Sequence, residues 1–282
     1  MNNEMIIGID MGGTNIRAGI VHNGIAGNII SQRINANGSA DEVVQEVFNL
    51  VDQIISSQIK AIGIGFPGLS VNGIAYDVYN IPSWKEVALQ QLMEQRYQKP
   101  VLINNDANCF ALGEFYFGKG RGHTSMTGLA IGTGLGAGII INQKLYAGKA
   151  GGAGEFGMIS YLDKCYEYYA SGQFFKNIYG IDGETVYAKA IQGDSESIKM
   201  YEEFGKHLGN AIRTILYAMD IELIVLGGSV RNAFSLFSKT MWEQIQTFEL
   251  KRGLYGFNIE VSELENSAIL GAAALHYDLN EK

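Results

Sequence analysis

Cysteine is scarce: Cys109 and Cys165 are the two in 282 residues, and they show no pairing pattern. A disulfide framework is therefore excluded, and a reducing, cytoplasmic setting is expected. Basic charge is short as well, with 21 Lys and Arg against 29 Asp and Glu and a net charge of −8. A broad nucleic-acid surface needs a basic face, so no nucleic-acid partner is expected. No apolar run approaches the ~18–20 residues of a membrane helix, and no membrane partner is expected. The opening stretch MNNEMIIGID lacks the basic region and long apolar segment of a signal peptide. There is no G-x-x-x-x-G-K-[ST] stretch, which excludes a P-loop. Low-complexity tracts and charge runs are missing too. Hydrophobic residues, at 47% against 18% charged, suffice for the core of one large domain or two modest ones.

Two glycine-rich segments of the same build carry most of the information. The first runs from Ile6 to Val21 around Asp10-Met11-Gly12-Gly13-Thr14. The second runs from Leu129 to Ile141 around Gly132-Thr133-Gly134-Leu135-Gly136. In each, an apolar strand enters a glycine turn and a second apolar strand leaves it. Glycine exposes backbone N–H groups and tolerates positive φ, so such a turn can wrap a phosphate. Either segment alone reads equally as an ordinary hairpin with a glycine bend. Together they suggest two phosphate contacts on one nucleotide, one from each half of a duplicated fold. Gly132, Gly134 and Ala137 also match the dinucleotide fingerprint, but that motif needs a helix at the turn, and Ile139-Ile140-Ile141 reads as strand.

The remaining pattern is mixed α/β. Residues 5–10 and 16–21 form hairpin arms, Asn23-Gly24 is a turn, and 29–34 is a third strand. Ser39 and Glu42 form a capping box ahead of a helix with Val43, Val44, Val47, Leu50, Val51, Ile54 and Ile55 on one face. Residues 61–66 and 101–104 read as strands. Ser83 and Glu86 form a second capping box before a helix through Tyr97, and a further helix spans 106–117. The chain turns mostly helical from about Glu184, with strands at 223–226 and 258–262 and a helix at 267–275. The glycine-rich stretch 147–158 reads as irregular. The turn-rich stretch Gly118–Gly122 marks a domain junction. The expected division is 1–117 plus the C-terminal helix 267–282 in one domain and 118–266 in a larger second one.

Several carboxylates and amides stand where chemistry needs them. Asp10, beside the first glycine turn, reads as a water-mediated Mg²⁺ ligand or as a turn aspartate bonding nearby backbone. Asp106, where a strand meets a helix, reads as a helix N-cap or as a general base for a substrate hydroxyl. Asn105 would orient a sugar with its amide. Glu155 and Glu167 suit the hydroxyls of a neutral polyol, or lie on a solvated surface.

Taken in order, these segments resemble the ROK family (repressor, open reading frame, kinase). The resemblance rests on Asp10-x-Gly12-Gly13-Thr14, Gly65-Phe66-Pro67-Gly68, Asn80-Ile81-Pro82-x-Trp84, Asn105-Asp106-Ala107-Asn108, the 131–138 glycine run, Gly154-Glu155-Phe156-Gly157, Ala170-Ser171-Gly172 and Leu226-Gly227-Gly228, and reaches the Gly271-Ala272-Ala273 segment. It implies an actin/hexokinase-like duplicated ATPase fold of two α/β domains around a cleft. It also implies transfer of the ATP γ-phosphate to a hexose hydroxyl, with glucose as the first choice. Asp106 matches the family's catalytic base. Gly12, Gly13, Thr14, Gly132, Thr133, Gly134 and Gly136 match its phosphate loops, and Gly227 and Gly228 its adenosine segment. Gly68, Asn80, Asn105, Asp106, Glu155 and Glu167 match sugar-binding positions. ATP and Mg²⁺ are the expected cofactors, and a homodimer the expected assembly.

The chain also departs from the family pattern. Most members carry a histidine followed by a cysteine-rich zinc knuckle. Here Met158 stands at the histidine position, 159–164 is too short for the knuckle, and Cys165 matches its last cysteine. Two cysteines and four scattered histidines do not supply about four zinc ligands, so no structural zinc is expected. Allose, N-acetylmannosamine, fructose and β-glucosides stay open as alternative substrates. A non-catalytic sugar-sensing regulator is the rival reading. It is disfavoured because the first phosphate strand begins by residue 5, ahead of which a helix-turn-helix domain does not fit.

Overall fold

Met5–Met11 (β1) and Asn15–His22 (β2) are the antiparallel arms of the first glycine hairpin in the computed structural model, which describes residues 4–280. Asn23 and Gly24, both at positive φ, turn the chain into Ile25–Arg33 (β3), as a tight right-twisted hairpin requires. Ala40–Val51 (α1) follows. Its capping box forms as expected: Ser39 Oγ accepts from the Glu42 N–H, and Glu42 Oε2 accepts from the Ser39 N–H. Ile59–Phe66 (β4) then runs parallel to β1.

A small antiparallel sheet comes next, from Leu69–Val71 (β5), Ile74–Tyr76 (β6) and Glu86–Val87 (β7). The Ser83–Glu86 capping box does not form. Glu86 is paired with Tyr76 across the sheet, Ser83 Oγ is buried without a partner, and Leu89–Tyr97 (α2) starts after Ala88 with no side-chain cap. Cross-strand pairing overrides the local signal there. Val101–Asn105 (β8) completes a sheet of order β3-β2-β1-β4-β8, and Asp106–Phe117 (α3) leaves it.

In the second glycine segment, Met126–Ile131 (β9) is followed by Leu135–Ile141 (β10) and the short Lys144–Leu145 (β11). The small hairpin Ser160–Tyr161 (β12) and Lys164–Cys165 (β13) leads into Tyr166–Ala170 (α4), Phe174–Tyr179 (α5), Gly183–Ala190 (α6) and Ser195–Met219 (α7). Leu223–Gly227 (β14) is parallel to both β9 and Asn258–Val261 (β15), with Phe234–Ile245 (α8) between β14 and β15 in sequence. Ser267–Asn280 (α9) is the last element.

These elements divide into two compact units. The first takes in the chain up to Thr124, Gly138–Ala153, and the chain from Glu263 onward; the second is Ser125–Ala137 with Gly154–Ser262. Gly138–Ala153 thus groups with the first unit, although the division read from the sequence puts it in the second.

Alternation along the strands builds the first unit. Ile7, Ile9, Ile62 and Ile64 join Val43, Val47 and Leu50 of α1 in one buried cluster. The opposite face carries glycine where α9 passes. A Cβ on Gly8 would lie 2.0 Å from the Ile269 carbonyl oxygen, and one on Gly63 1.8 Å from that of Ala272. Helix α3 meets α9 as closely, with Gly271 against the Cys109 carbonyl. In the second unit α7 carries the same device toward α8: Gly205 abuts the Phe237 carbonyl and Gly209 that of Met241. No described helix is long and apolar enough to cross a membrane.

Candidate active site

In the first unit, strand register sets Asp10 in a row with three residues of neighbouring strands. Arg17 pairs with Asp10, Asp10 with Gly65, and Gly65 with Asn104. The row lies at the carboxyl ends of parallel β1, β4 and β8, where α/β proteins collect their sites. Gly65 is bare for a reason: a Cβ there would lie 3.1 Å from Cys109 Sγ and 3.8 Å from the Asp106 Cα.

The junction of β8 and α3 is tied by a run of amides. Asn105 is the N-cap: its Oδ1 accepts from the Ala107 N–H at 2.8 Å and the Asn108 N–H at 3.4 Å, and its Nδ2 donates to the Gly68 carbonyl at 3.2 Å. Asn104 Oδ1 in turn accepts from the Asn105 N–H and from Asn108 Nδ2. Capping is thus done by Asn105, and Asp106 is the first helical residue. Its Oδ1 also accepts from the Ala107 N–H.

Two more expected sugar contacts, Gly68 and Asn80, belong to the first unit. The Tyr79 N–H donates to the Pro67 carbonyl, and Asn80 lies against the first glycine turn. A Cβ on Gly13 would meet the Asn80 side chain at 2.6 Å. Gly12, Gly13, Gly132 and Gly134 all stay outside the left-handed region. Positive φ is therefore not what demands glycine at these turns. At Gly13 and Gly134 the demand is for the missing side chain.

The electrostatics single out Asp10. Burial, reinforced by the nearby Asp106 charge and opposed by Arg17, pushes its pKa from 3.8 to about 6. Asp106 is also raised: the protein packed around its carboxyl disfavours the charge, while N–H groups of Ala107 and of Asp106 itself pull the other way. The residue nonetheless keeps an exposed surface, so solvent moderates that rise.

A stability prediction follows from Asp10. The folded pKa lies above the unfolded one, so the fold favours the neutral acid. That favourable share is complete below pH ~3.8 and is lost as the pH rises through ~6, where the ionised group costs about 3 kcal/mol. Asp10→Asn is expected to stabilise the ligand-free protein by about 1–3 kcal/mol at pH 8 and by much less at pH 4. Urea melts at the two pH values check this, and an equal effect at both would refute it.

The second unit brings its own set together. The Gly132 N–H donates to the Gly134 carbonyl, the Gly172 N–H donates to the Gly132 carbonyl at 2.7 Å, and Gln173 Nε2 donates to the Thr133 carbonyl at 2.9 Å. Glu167 Oε2 accepts from the Leu135 N–H at 3.0 Å, and a Cβ on Gly134 would lie 2.6 Å from that oxygen. Gly227 pairs with Ala130 at the end of β14. Gly228, at φ +76°, would put a Cβ 2.2 Å from the Ile131 carbonyl, which only glycine permits. The adenosine and phosphate candidates are thus neighbours. Gly136 lies on β10. Glu155 is exposed and opens a one-turn 3₁₀ segment at 156–158. That segment is close to the Glu167 stem, since a Cβ on Gly157 would lie 3.4 Å from the Glu167 Cβ. Met158 is 55% exposed.

Sequence reasoning assigned no role to Arg17, Asn104 or Gln173. Arg17 could have been found by continuing the hairpin register outward from the Gly12-Gly13 turn to Asp10. Asn104 gave a weaker signal, as one amide in the Asn104-Asn105 pair. Gln173 gave none.

Among the described residues no group of three or more His, Cys, Asp or Glu could hold a metal ion. The donor chemistry nevertheless suits Mg²⁺. Asp10 and Asp106 are hard oxygen donors, and the Asp106 charge adds to the burial that raises the Asp10 pKa. Mg²⁺ typically takes one or two carboxylates and fills its octahedron with water and substrate phosphate.

Comparison with known proteins identifies the family. The chain matches the family model described as "ROK family" over residues 6–278. It is 30% identical to a glucokinase of Streptomyces coelicolor, covering 96% of this chain and 97% of that one. It is 31% identical to an N-acetyl-D-glucosamine kinase of Pectobacterium carotovorum subsp. carotovorum, covering 81% and 84%. A ROK family glucokinase from Streptomyces griseus, solved in complex with glucose and AMPPNP, superposes with a TM-score of 0.78 at 27% identity, covering 96% of this chain and 98% of that one.

Proposed function

Since the chain belongs to the ROK family and is a sugar kinase, we propose that it transfers the γ-phosphate of ATP to the 6-hydroxyl of glucose or a closely related hexose. The observation that carries the assignment of roles is the division of labour at the start of α3. Asn105 caps the helix, so although Asp106 Oδ1 accepts the Ala107 N–H, its Oδ2 is left to serve as general base. A phosphoryl transfer asks little covalent work of the protein; it asks for positioning, charge neutralisation and a group to receive the hydroxyl proton. Asp106 receives that proton, and a carboxyl raised above its ordinary range is better matched to doing so near neutral pH.

Asn80, Gly68 and Asn105 in the first unit and Glu155 and Glu167 in the second are the proposed sugar contacts. Gly12-Gly13-Thr14 and Gly132-Thr133-Gly134 present backbone to the phosphates, with Gly227-Gly228 for the adenosine. Asp10 would hold Mg²⁺ through water, and the bound ion would offset the charge of the phosphates. Glucose is favoured because the relatives include a glucokinase 30% identical to this chain and a glucokinase solved with glucose, each matched over 96% of this chain.

A coupled ADP-release assay over a panel of hexoses with ATP and Mg²⁺ tests the proposal. Turnover is expected to be highest with glucose. Preference for N-acetylated sugars or β-glucosides would move the substrate assignment, and no turnover on any sugar would leave the regulator reading in its place.

A further inference from the structure

Glu167 lies on a five-residue helix crowded with tyrosines, and each of these is tied down through its hydroxyl. Tyr166 OH pairs with Thr214 Oγ1 at 2.7 Å, Tyr168 OH donates to the Asn177 carbonyl, and Tyr169 OH donates to Asp163 Oδ1. Glu167 is turned instead to the glycine loop, where it accepts the Leu135 N–H. The hairpin before it adds a further anchor. Tyr161 of β12 stacks on Tyr166, with ring centroids 4.4 Å apart and planes 18° from parallel. The Tyr161 hydroxyl sits between Asn210 Nδ2 and His207 Nδ1 of α7, each at 3.1 Å.

We propose that Tyr161 and His207 are positioning residues for the sugar site: they clasp the β12–β13 hairpin to α7 and so hold the Glu167 carboxylate on the 132–135 turn. The inference rests on the reading of Glu167 as an acceptor for sugar hydroxyls. The Asn210 amide fixes the direction of one of these bonds. Asn210 Nδ2 donates to the Tyr161 oxygen, and the Tyr161 O–H is left to donate to His207 Nδ1 in the tautomer that carries its proton on Nε2. His207 is then neutral, with its proton on Nε2 directed toward Glu203 Oε1 at 3.7 Å.

The surroundings agree. Glu203 and Lys206 face His207 from its own helix, Tyr161 from the hairpin, and Tyr169, bonded to Asp163, from α4. Burial outweighs Glu203 and lowers the imidazole pKa, which favours the neutral ring. Gln244 Nε2 steadies Asn210 through its Oδ1, and Tyr179 OH donates to Glu203 Oε2. The clasp is therefore braced from α5 and α8 as well. No metal enters it.

The test compares the wild type with Tyr161→Phe, which removes one hydroxyl and keeps the stack, and with His207→Leu and His207→Asn. Hydrogen exchange of the Leu135 amide reads the Glu167 contact directly, and steady-state kinetics with glucose read its use. In Tyr161→Phe and His207→Leu, Leu135 exchange is expected to quicken and the glucose KM to rise about tenfold, with kcat within about twofold. His207→Asn, whose amide oxygen can stand near Nδ1, is expected to recover most of both. Unchanged Leu135 exchange in a folded Tyr161→Phe protein would overturn the clasp, as would faster exchange spread evenly over the second unit. If the wild type phosphorylates no hexose, the sugar-kinase reading falls and the clasp loses its role in sugar binding. Leu135 exchange still reports whether it holds Glu167.

Discussion

Asp106→Asn is expected to lower kcat with glucose and MgATP by about 10³-fold, equivalent to about 4 kcal/mol of barrier, with the glucose KM changed only a few-fold. Asparagine keeps the size and the polar contacts of the side chain but cannot take a proton from the sugar hydroxyl. Helix α3 survives the change because its cap is Asn105. The variant also loses a carboxyl whose charge is disfavoured by its surroundings, so its melting temperature should not fall. A coupled assay beside a thermal melt checks both halves. Turnover within tenfold of the wild type would remove Asp106 from the base role. The wild-type kcat/KM should fall on the acid side with a limb above the ordinary carboxylate range, since the base must be ionised to act.

The second large effect is structural. Gly63→Ala is expected to destabilise the first unit by about 4 kcal/mol or more, a size reserved for few single substitutions. The new methyl would lie 1.8 Å from the carbonyl oxygen of Ala272, a backbone atom in α9 that no rotamer change can move aside. Gly27→Ala is the matched control. It also sits in a strand, yet nothing lies within 4 Å of its would-be Cβ, and its effect should stay within about 0.5 kcal/mol. Urea unfolding of both variants gives the comparison. A Gly63→Ala protein as stable as Gly27→Ala would mean that α9 does not seat on the sheet as described.

These two predictions mark the difference between what the sequence made legible and what it did not. The glycine hairpins, the Ser39–Glu42 cap and the strand-to-helix step at Asn105-Asp106 are short-range signals, and local chemistry settles them. Ser83 and Glu86 offered the same local signal and failed. Tyr76, ten residues back, claims Glu86 for a strand, and no short window reveals that. Gly8 and Gly63 read as weak spots in otherwise excellent strands. Their partners, Ile269 and Ala272, lie over 200 residues away, so only the folded chain explains them. The site divides in the same way. Asp10 and Asp106 announce themselves beside glycine or asparagine. Arg17 becomes meaningful only through register, and Gln173 only through its bond to Thr133.

The seating of α9 on Gly8 and Gly63 has a consequence for synthesis on the ribosome. Strands β1, β4 and β8 emerge early, but the helix that covers one face of their sheet is the last described element to be made. The second unit, apart from residues 125–137, is one continuous stretch, 154–262, and is complete before α9 appears. The nascent chain must therefore carry an unfinished first unit, its glycine-lined face uncovered, while the second unit is already able to fold. That interval is when chaperone binding and misassembly would act on this protein.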